Sequence, residues 1–268
     1  MNACALHVAS AGRPAVPPSV TNRTVHELEP ASSPHTGVVG VLGGMGPLAT
    51  IDFMRKMLAQ TPAQVDQQHV PVVVSSVPQI PDRLAAFRGI GPSPLQALIG
   101  SGRRLVEAGV SLIVMPCNTA HLWFDELQGA LPVPMIHIVD AAITQVRRQC
   151  GARARIGLLA TEATVESGIY AARSPEGIEW LLPTAQELRQ WVTPAIAAVK
   201  AGELDRAKAP LAHVAAALAR RGADAVVMGC TEIPIALSVS DVAVTLVDAT
   251  DALAREAVRW SLGARLPQ

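Results

Sequence analysis

Leu112-Ile-Val-Met-Pro-Cys-Asn-Thr-Ala-His121 decides how this chain is read, and Ala225-Val-Val-Met-Gly-Cys-Thr-Glu-Ile-Pro234 repeats it far downstream. In both, an apolar run with the character of a buried strand delivers a cysteine into a polar turn. Short apolar runs of this kind suit parallel strands covered by helices on both faces. Working outward, the same unit recurs. Val38-Val-Gly-Val-Leu42 reads as a strand, Gly43-Gly-Met-Gly-Pro47 as a tight turn and Leu48 to Gln60 as an amphipathic helix. Val70 to Ser75 reads as the next strand, after which prolines exclude helix until Asp82, placed to cap one. A helix from Pro94 to Ala108 precedes the Cys117 strand. Met135 to Val139 reads as a strand ending at Asp140, and a helix from Ala141 closes at Cys150 with Gly151 as its C-cap.

The pattern then restarts. Arg155-Ile-Gly-Leu-Leu-Ala-Thr161 corresponds to the opening strand, Ile178 to Leu182 to the second, and Ala225 to Met228 to the cysteine strand, with helices over Glu187–Lys200 and Leu204–Arg221 between them. The expectation is a duplicated α/β fold, two similar lobes with parallel sheets related by a pseudo-twofold axis and an active site in the cleft between them. Residues 37–134 with 244–268 form the first lobe in this reading, 135–243 the second, and 1–36 a mobile extension. Ligands of such sheets bind beyond the carboxyl ends of the strands, which brings Cys117 and Cys230 towards one cleft.

Composition narrows the function. At 268 residues and 50% hydrophobic, the chain can bury such a core. Its 22 basic and 22 acidic residues balance, so no global field favours nucleic acid. No apolar run approaches the roughly 18 residues of a membrane span, and the N-terminus lacks a basic leader with a long apolar segment. The cytoplasm is the expected compartment. Four cysteines without framework spacing read as reduced thiols, with Cys4 and Cys150 inert, and CxxC or paired Cys/His metal spacings are absent. The Gly43–Pro47 turn lacks both the Walker lysine and GxGxxG, which argues against a nucleotide.

Two thiols in matched frames have a definite use. An unperturbed thiol has a pKa of about 8.5, and a cation or a helix N-terminus lowers it. One cysteine as thiolate can remove a proton from a carbon acid while the other, as thiol, returns one to the opposite face, inverting the centre without a cofactor. Charge developing on an amino acid would need donors, which Asn118, Thr119 and Thr231 supply at expected helix starts. The plainer reading, that each cysteine only fills the core, weakens because both are followed by polar donors. Arg83 reads either as a surface partner of Asp82 or as a site residue.

Leu42-Gly-Gly-Met-Gly-Pro47, Pro81-Asp-Arg83, Met115-Pro-Cys-Asn-Thr-Ala-His121, Gly157-Leu-Leu-Ala-Thr161 and Gly229-Cys-Thr-Glu-Ile-Pro234 together resemble the aspartate/glutamate racemase family, in its aspartate racemase branch, from Gly37 onward. The resemblance implies a racemase of acidic amino acids independent of PLP and metal, commonly dimeric. It implies Cys117 and Cys230 as the paired acid/base residues, Arg83 as the anchor of the side-chain carboxylate and Lys200 as the family lysine beside the site. Met45, Thr161 and Glu232 join Asn118, Thr119 and Thr231 as expected substrate-binding residues. Glutamate racemases carry an acidic residue in the first glycine turn and a histidine two places after the second cysteine. Met45 and Glu232 depart from that pattern, which fits the aspartate branch and leaves Glu232 a candidate partner for the substrate ammonium. His121 is expected to anchor its loop, and Asp52, Asp140 and Asp248 to cap. The alternatives are a dicarboxylate isomerase or decarboxylase on the same scaffold, or a module that only binds an acidic metabolite.

Overall fold

The computed structural model describes residues 35–263. The expected extension over 1–36, with Cys4, therefore lies outside the described residues except for His35 and Thr36. Thr36 is tied down: its N–H donates to the Ser261 carbonyl at 2.8 Å and its hydroxyl to that of Trp260 at 2.9 Å.

The described chain runs β1 (Val39–Gly43), α1 (Pro47–Gln60), β2 (Val72–Ser76), α2 (Arg83–Phe87), α3 (Leu95–Glu107), β3 (Leu112–Val114), α4 (Phe124–Gly129), β4 (Met135–Ile136) and α5 (Ile138–Cys150). It continues through β5 (Ala154–Ala160), α6 (Glu162–Glu166), α7 (Ile169–Arg173), β6 (Ile178–Leu181), α8 (Ala185–Glu187), α9 (Thr193–Lys200), α10 (Leu204–Arg220), β7 (Ala225–Gly229), α11 (Ile233–Ala236), β8 (Thr245–Asp248) and α12 (Ala249–Ser261). Two four-stranded sheets result, ordered β2-β1-β3-β4 and β6-β5-β7-β8, with every ladder parallel. The order of the first sheet is repeated in the second, as a duplicated fold demands. In both, the central strands β1, β3, β5 and β7 are buried almost throughout, because helices cover both faces.

The expected lobe boundaries do not follow the sheets. Met135 pairs with Ile113 in the first sheet, and β8 pairs with β7 in the second, so each strand joins the lobe opposite to the one expected. The apolar run Met135–Val139 reads as one strand, but only two residues pair. His137 ends the strand by accepting the Val139 N–H at 3.2 Å, and Ile138 opens α5. The inner faces of both lobes share one core, in which Val39 and Phe53 of the first lobe join Ile156 and Val227 of the second and the apolar faces of α5 and α12. The lobes are thus fused through one core.

The expected helix over Glu187–Lys200 is also interrupted. Leu188–Val192 forms a π turn before α9. Pro194 has no N–H to give the carbonyl four residues back, and it stands in the first turn of α9, where that loss is tolerated.

Of the three aspartates expected to cap, only Asp248 does, accepting the Thr250 and Asp251 N–H groups at 2.8 and 3.1 Å. Asp52 lies inside α1, where it pairs with Arg55 and Lys56, and Lys56 also reaches Asp248 at 2.6 Å. Asp140 sits in the first turn of α5 and forms a two-pronged pair with Arg173, both contacts at 2.6 Å.

Candidate active site

The site begins with the ends of β1, β3 and β7. After β1, Gly44 takes φ +94° and packs so closely on the Val77 backbone that an added Cβ would lie 2.3 Å from the Val77 nitrogen. Only glycine meets both demands. Thr50 locks this turn, its hydroxyl accepting the Gly44 N–H at 2.9 Å and donating to the Gly46 carbonyl at 3.0 Å. Met45 is thereby turned inward. After β3, the Cys117 N–H closes a tight turn on the Met115 carbonyl at 2.8 Å, and Asn118 opens a 3-10 turn over Thr119–Trp123. After β7, Cys230 is followed by Thr231, Glu232 and α11.

These ends enclose a cavity of about 160 Å³. Every residue expected at the site lines it: Cys117, Cys230, Met45, Arg83, Asn118, Thr119, Thr161, Lys200, Thr231 and Glu232. Cys117 comes from the first lobe and Cys230 from the second; both are free thiols and buried. Arg83 is not the surface partner of Asp82. The Asp82 carboxylate accepts the Ala85 N–H at 2.8 Å as the N-cap of α2, and the Arg83 Nη1 donates to the carbonyls of Ile80 and Pro81 at 3.1 and 3.0 Å. Among the described residues, neither Arg83 nor Lys200 forms an ion pair.

The thiols differ in their surroundings. Burial pushes the Cys117 thiol up from the ordinary cysteine value, opposed first by Arg83. Burial pushes Cys230 up further; Glu232 adds to the rise and Lys200 opposes it at both thiols, and only at Cys230 is Glu232 the first cause after burial. Burial thus outweighs the cations at both, so the thiolate expected of one cysteine is not favoured at either, and Cys117 is the easier to ionise. The Cys230 Sγ donates to Glu232 Oε2 at 3.1 Å, as does the Thr231 hydroxyl at 3.2 Å. The other oxygen, Glu232 Oε1, is buried without a partner and faces Gly46 of the opposite lobe. Asn118 Nδ2 is likewise buried and unpartnered. One unpartnered acceptor and one unpartnered donor, on two residues that line the same cavity, match in type what the ammonium and carboxylate of an amino acid require.

Around this centre, the hydroxyls of Thr119, Thr161 and Thr164 form a triangle spanning the lobes, with sides of 2.9, 3.0 and 2.9 Å. His121 anchors its loop. The Ile138 N–H donates to its Nε2 at 3.1 Å, which leaves Nδ1 to donate to the Cys117 carbonyl at 2.9 Å. Burial holds its pKa at about 4, so the ring stays neutral. Sequence reasoning missed Glu162 and Thr193, which also line the cavity. Glu162 pairs with Arg88 across the lobes and accepts from the Thr193 hydroxyl at 2.7 Å. Among the described residues, no three His, Cys, Asp or Glu side chains gather as a metal cage would require, and no helix is long and apolar enough to cross a membrane.

Repeated parallel sheets whose ends enclose one cavity define a two-lobed α/β protein. The chain belongs to the Asp/Glu/Hydantoin racemase family, whose model matches residues 42–257. The broad specificity amino-acid racemase RacX of Bacillus subtilis is 27% identical over 228 residues, covering 82% of this chain and 96% of its own. Among solved structures, the aspartate racemase of Picrophilus torridus is similar with a TM-score of 0.76 and 32% identity, covering 86% of this chain and 96% of that one. The glutamate racemase of Francisella tularensis, solved with D-glutamate, shares the fold at a TM-score of 0.58 and 17% identity, with 81% and 77% covered.

Proposed function

We propose that the protein inverts Cα of an acidic amino acid, aspartate foremost and glutamate second, by a two-cysteine acid/base mechanism that uses neither PLP nor a metal. The observation that carries this reading is a cavity in which one thiol from each lobe meets two cations, Arg83 and Lys200, that lack carboxylate partners among the described residues. A neutral side chain would leave both cations unmatched, whereas a second carboxylate pairs with them. The Asn118 amide and the backbone N–H groups of Thr119 and Thr231 receive the α-carboxylate, and Glu232 Oε1 accepts from the ammonium.

Cys117, opposed least by its surroundings, ionises and takes the Cα proton from one face, forming an S–H bond as the C–H bond breaks. The electron pair passes into the α-carboxylate, where the donors stabilise the growing charge. Cys230 delivers its proton to the other face and is left as thiolate beside Glu232. The opposite enantiomer runs the same path in reverse, and proton exchange with solvent restores the starting state. A cytoplasmic homodimer belongs to the same reading.

Chiral chromatography of L-aspartate incubated with the protein tests it. D-aspartate should accumulate with the wild type, and C117A and C230A should each abolish its formation. Full racemisation by either variant would overturn the two-thiol mechanism.

A further inference from the structure

The orientation of the Asn118 amide is set from outside the cavity. Its Oδ1 accepts a hydrogen bond from the Tyr170 hydroxyl at 2.6 Å, while Nδ2 at the other end is buried and unpartnered. Tyr170, the chain's single tyrosine, stands on α7 in the second lobe and is 1% exposed. Its ring is held edge-on to Trp180, with centroids 5.0 Å apart and planes at 69°. The Trp180 indole donates to Ser174 Oγ at 2.8 Å, and that hydroxyl donates to the Tyr170 carbonyl at 2.7 Å. Burial pushes the Tyr170 hydroxyl above the usual tyrosine range, so it remains an O–H donor. An amide whose acceptor end is engaged presents its donor end to whatever lies opposite.

We propose that Tyr170 is a positioning residue, which locks the Asn118 side chain with its NH2 end towards the cavity, so that the α-carboxylate of the substrate meets a donor. The inference rests on the reading of Asn118 as a carboxylate-binding residue. The reversed amide would set Oδ1 against an anion, replacing an attraction by a repulsion. Because the bond runs from the second lobe to the first, it also ties amide orientation to the seating of the lobes. Neither the cysteine motifs nor their spacing signals this residue.

The test uses Y170F, which keeps the ring against Trp180 and removes only the hydroxyl, together with N118A and Y170F/N118A. Two quantities are measured on each full-length variant: kcat and KM for L-aspartate, and calorimetric affinity for succinate, which is aspartate without its ammonium. In Y170F, KM and the succinate Kd should both rise about 3- to 10-fold, the size of one neutral hydrogen bond, with kcat changing less than KM. In the N118A background the same change should add under about 1.5-fold, because Tyr170 acts only through Asn118. An unaltered KM and Kd in Y170F, or an equal loss in both backgrounds, overturns the proposal. If the wild type binds succinate with this pattern but racemises no acidic amino acid, the proposed function fails and the Tyr170 inference stands. Racemisation with an additive cycle does the reverse: the function stands and the Tyr170 inference fails. A wild type that neither binds nor turns over defeats both.

Discussion

Replacing Arg83 by lysine separates its charge from its shape. The structure commits Nη1 to the carbonyls of Ile80 and Pro81 at 3.1 and 3.0 Å, which leaves the Nε and Nη2 edge for a two-pronged grip on a carboxylate. R83K keeps a cation near Cys117, where the native guanidinium opposes the rise caused by burial, but it offers a single point donor in place of a fork. Losing one charge-assisted hydrogen bond costs about 1.5–3 kcal/mol, so kcat/KM for L-aspartate should fall about 10- to 150-fold. Cα exchange of L-alanine, which has no side-chain carboxylate to hold, should stay within about threefold on the same free-energy scale. R83A, which also removes the cation, should lower both. The assay is solvent exchange at Cα followed by NMR for the two amino acids. Equal losses for aspartate and alanine in R83K, or no loss for aspartate, would refute the assignment of Arg83 to the side-chain carboxylate.

The pH dependence has a definite sign. Burial raises Cys117, and a protonated thiol cannot act as base, so kcat/KM should climb with pH through the alkaline range. Glu232 raises both thiols, Cys230 most directly, so E232Q should move both limbs of the pH–rate profile to lower pH; a shift upward would contradict this. His121 acts on the fold of its loop. H121A leaves the buried Ile138 N–H without its acceptor and should cost about 1–3 kcal/mol in denaturant unfolding. No loss of stability would remove the anchoring role.

The parts of the fold legible in the sequence are those that one local cause determines. β1, β3 and β7 are apolar throughout, and β5 apart from the exposed Arg155 near its start, because both faces of each sheet are covered, and the glycine turn after β1 is required by the approach of Gly44 to Val77. Eight of the ten expected residues reach the cavity from the ends of these strands, while Arg83 opens α2 and Lys200 closes α9. What the sequence hides depends on distant partners. The membership of β4 and β8 is decided by which edge each finds, so a division by position along the chain misplaces both. The short β4 is obscured because apolar residues stand on both sides of His137, the residue that caps α5. Asp52 and Asp140 carry a capping residue type, but Lys56 and Arg173 take them instead. Tyr170 and Glu162 reach their partners across the lobes, 52 and 74 positions away, and nothing local marks either.

The central claim is that Cys117 and Cys230 work from opposite faces of one carbon, and early-time labelling in heavy water tests it most directly. L-aspartate is incubated with the wild type in D2O, and both enantiomers are separated and weighed for deuterium at Cα while little has reacted. Because each thiol exchanges with solvent and only the far one returns a proton in the forward direction, the D-aspartate formed should carry deuterium while the remaining L-aspartate stays unlabelled. Deuterium appearing equally in both enantiomers, or D-aspartate formed without it, would contradict the account.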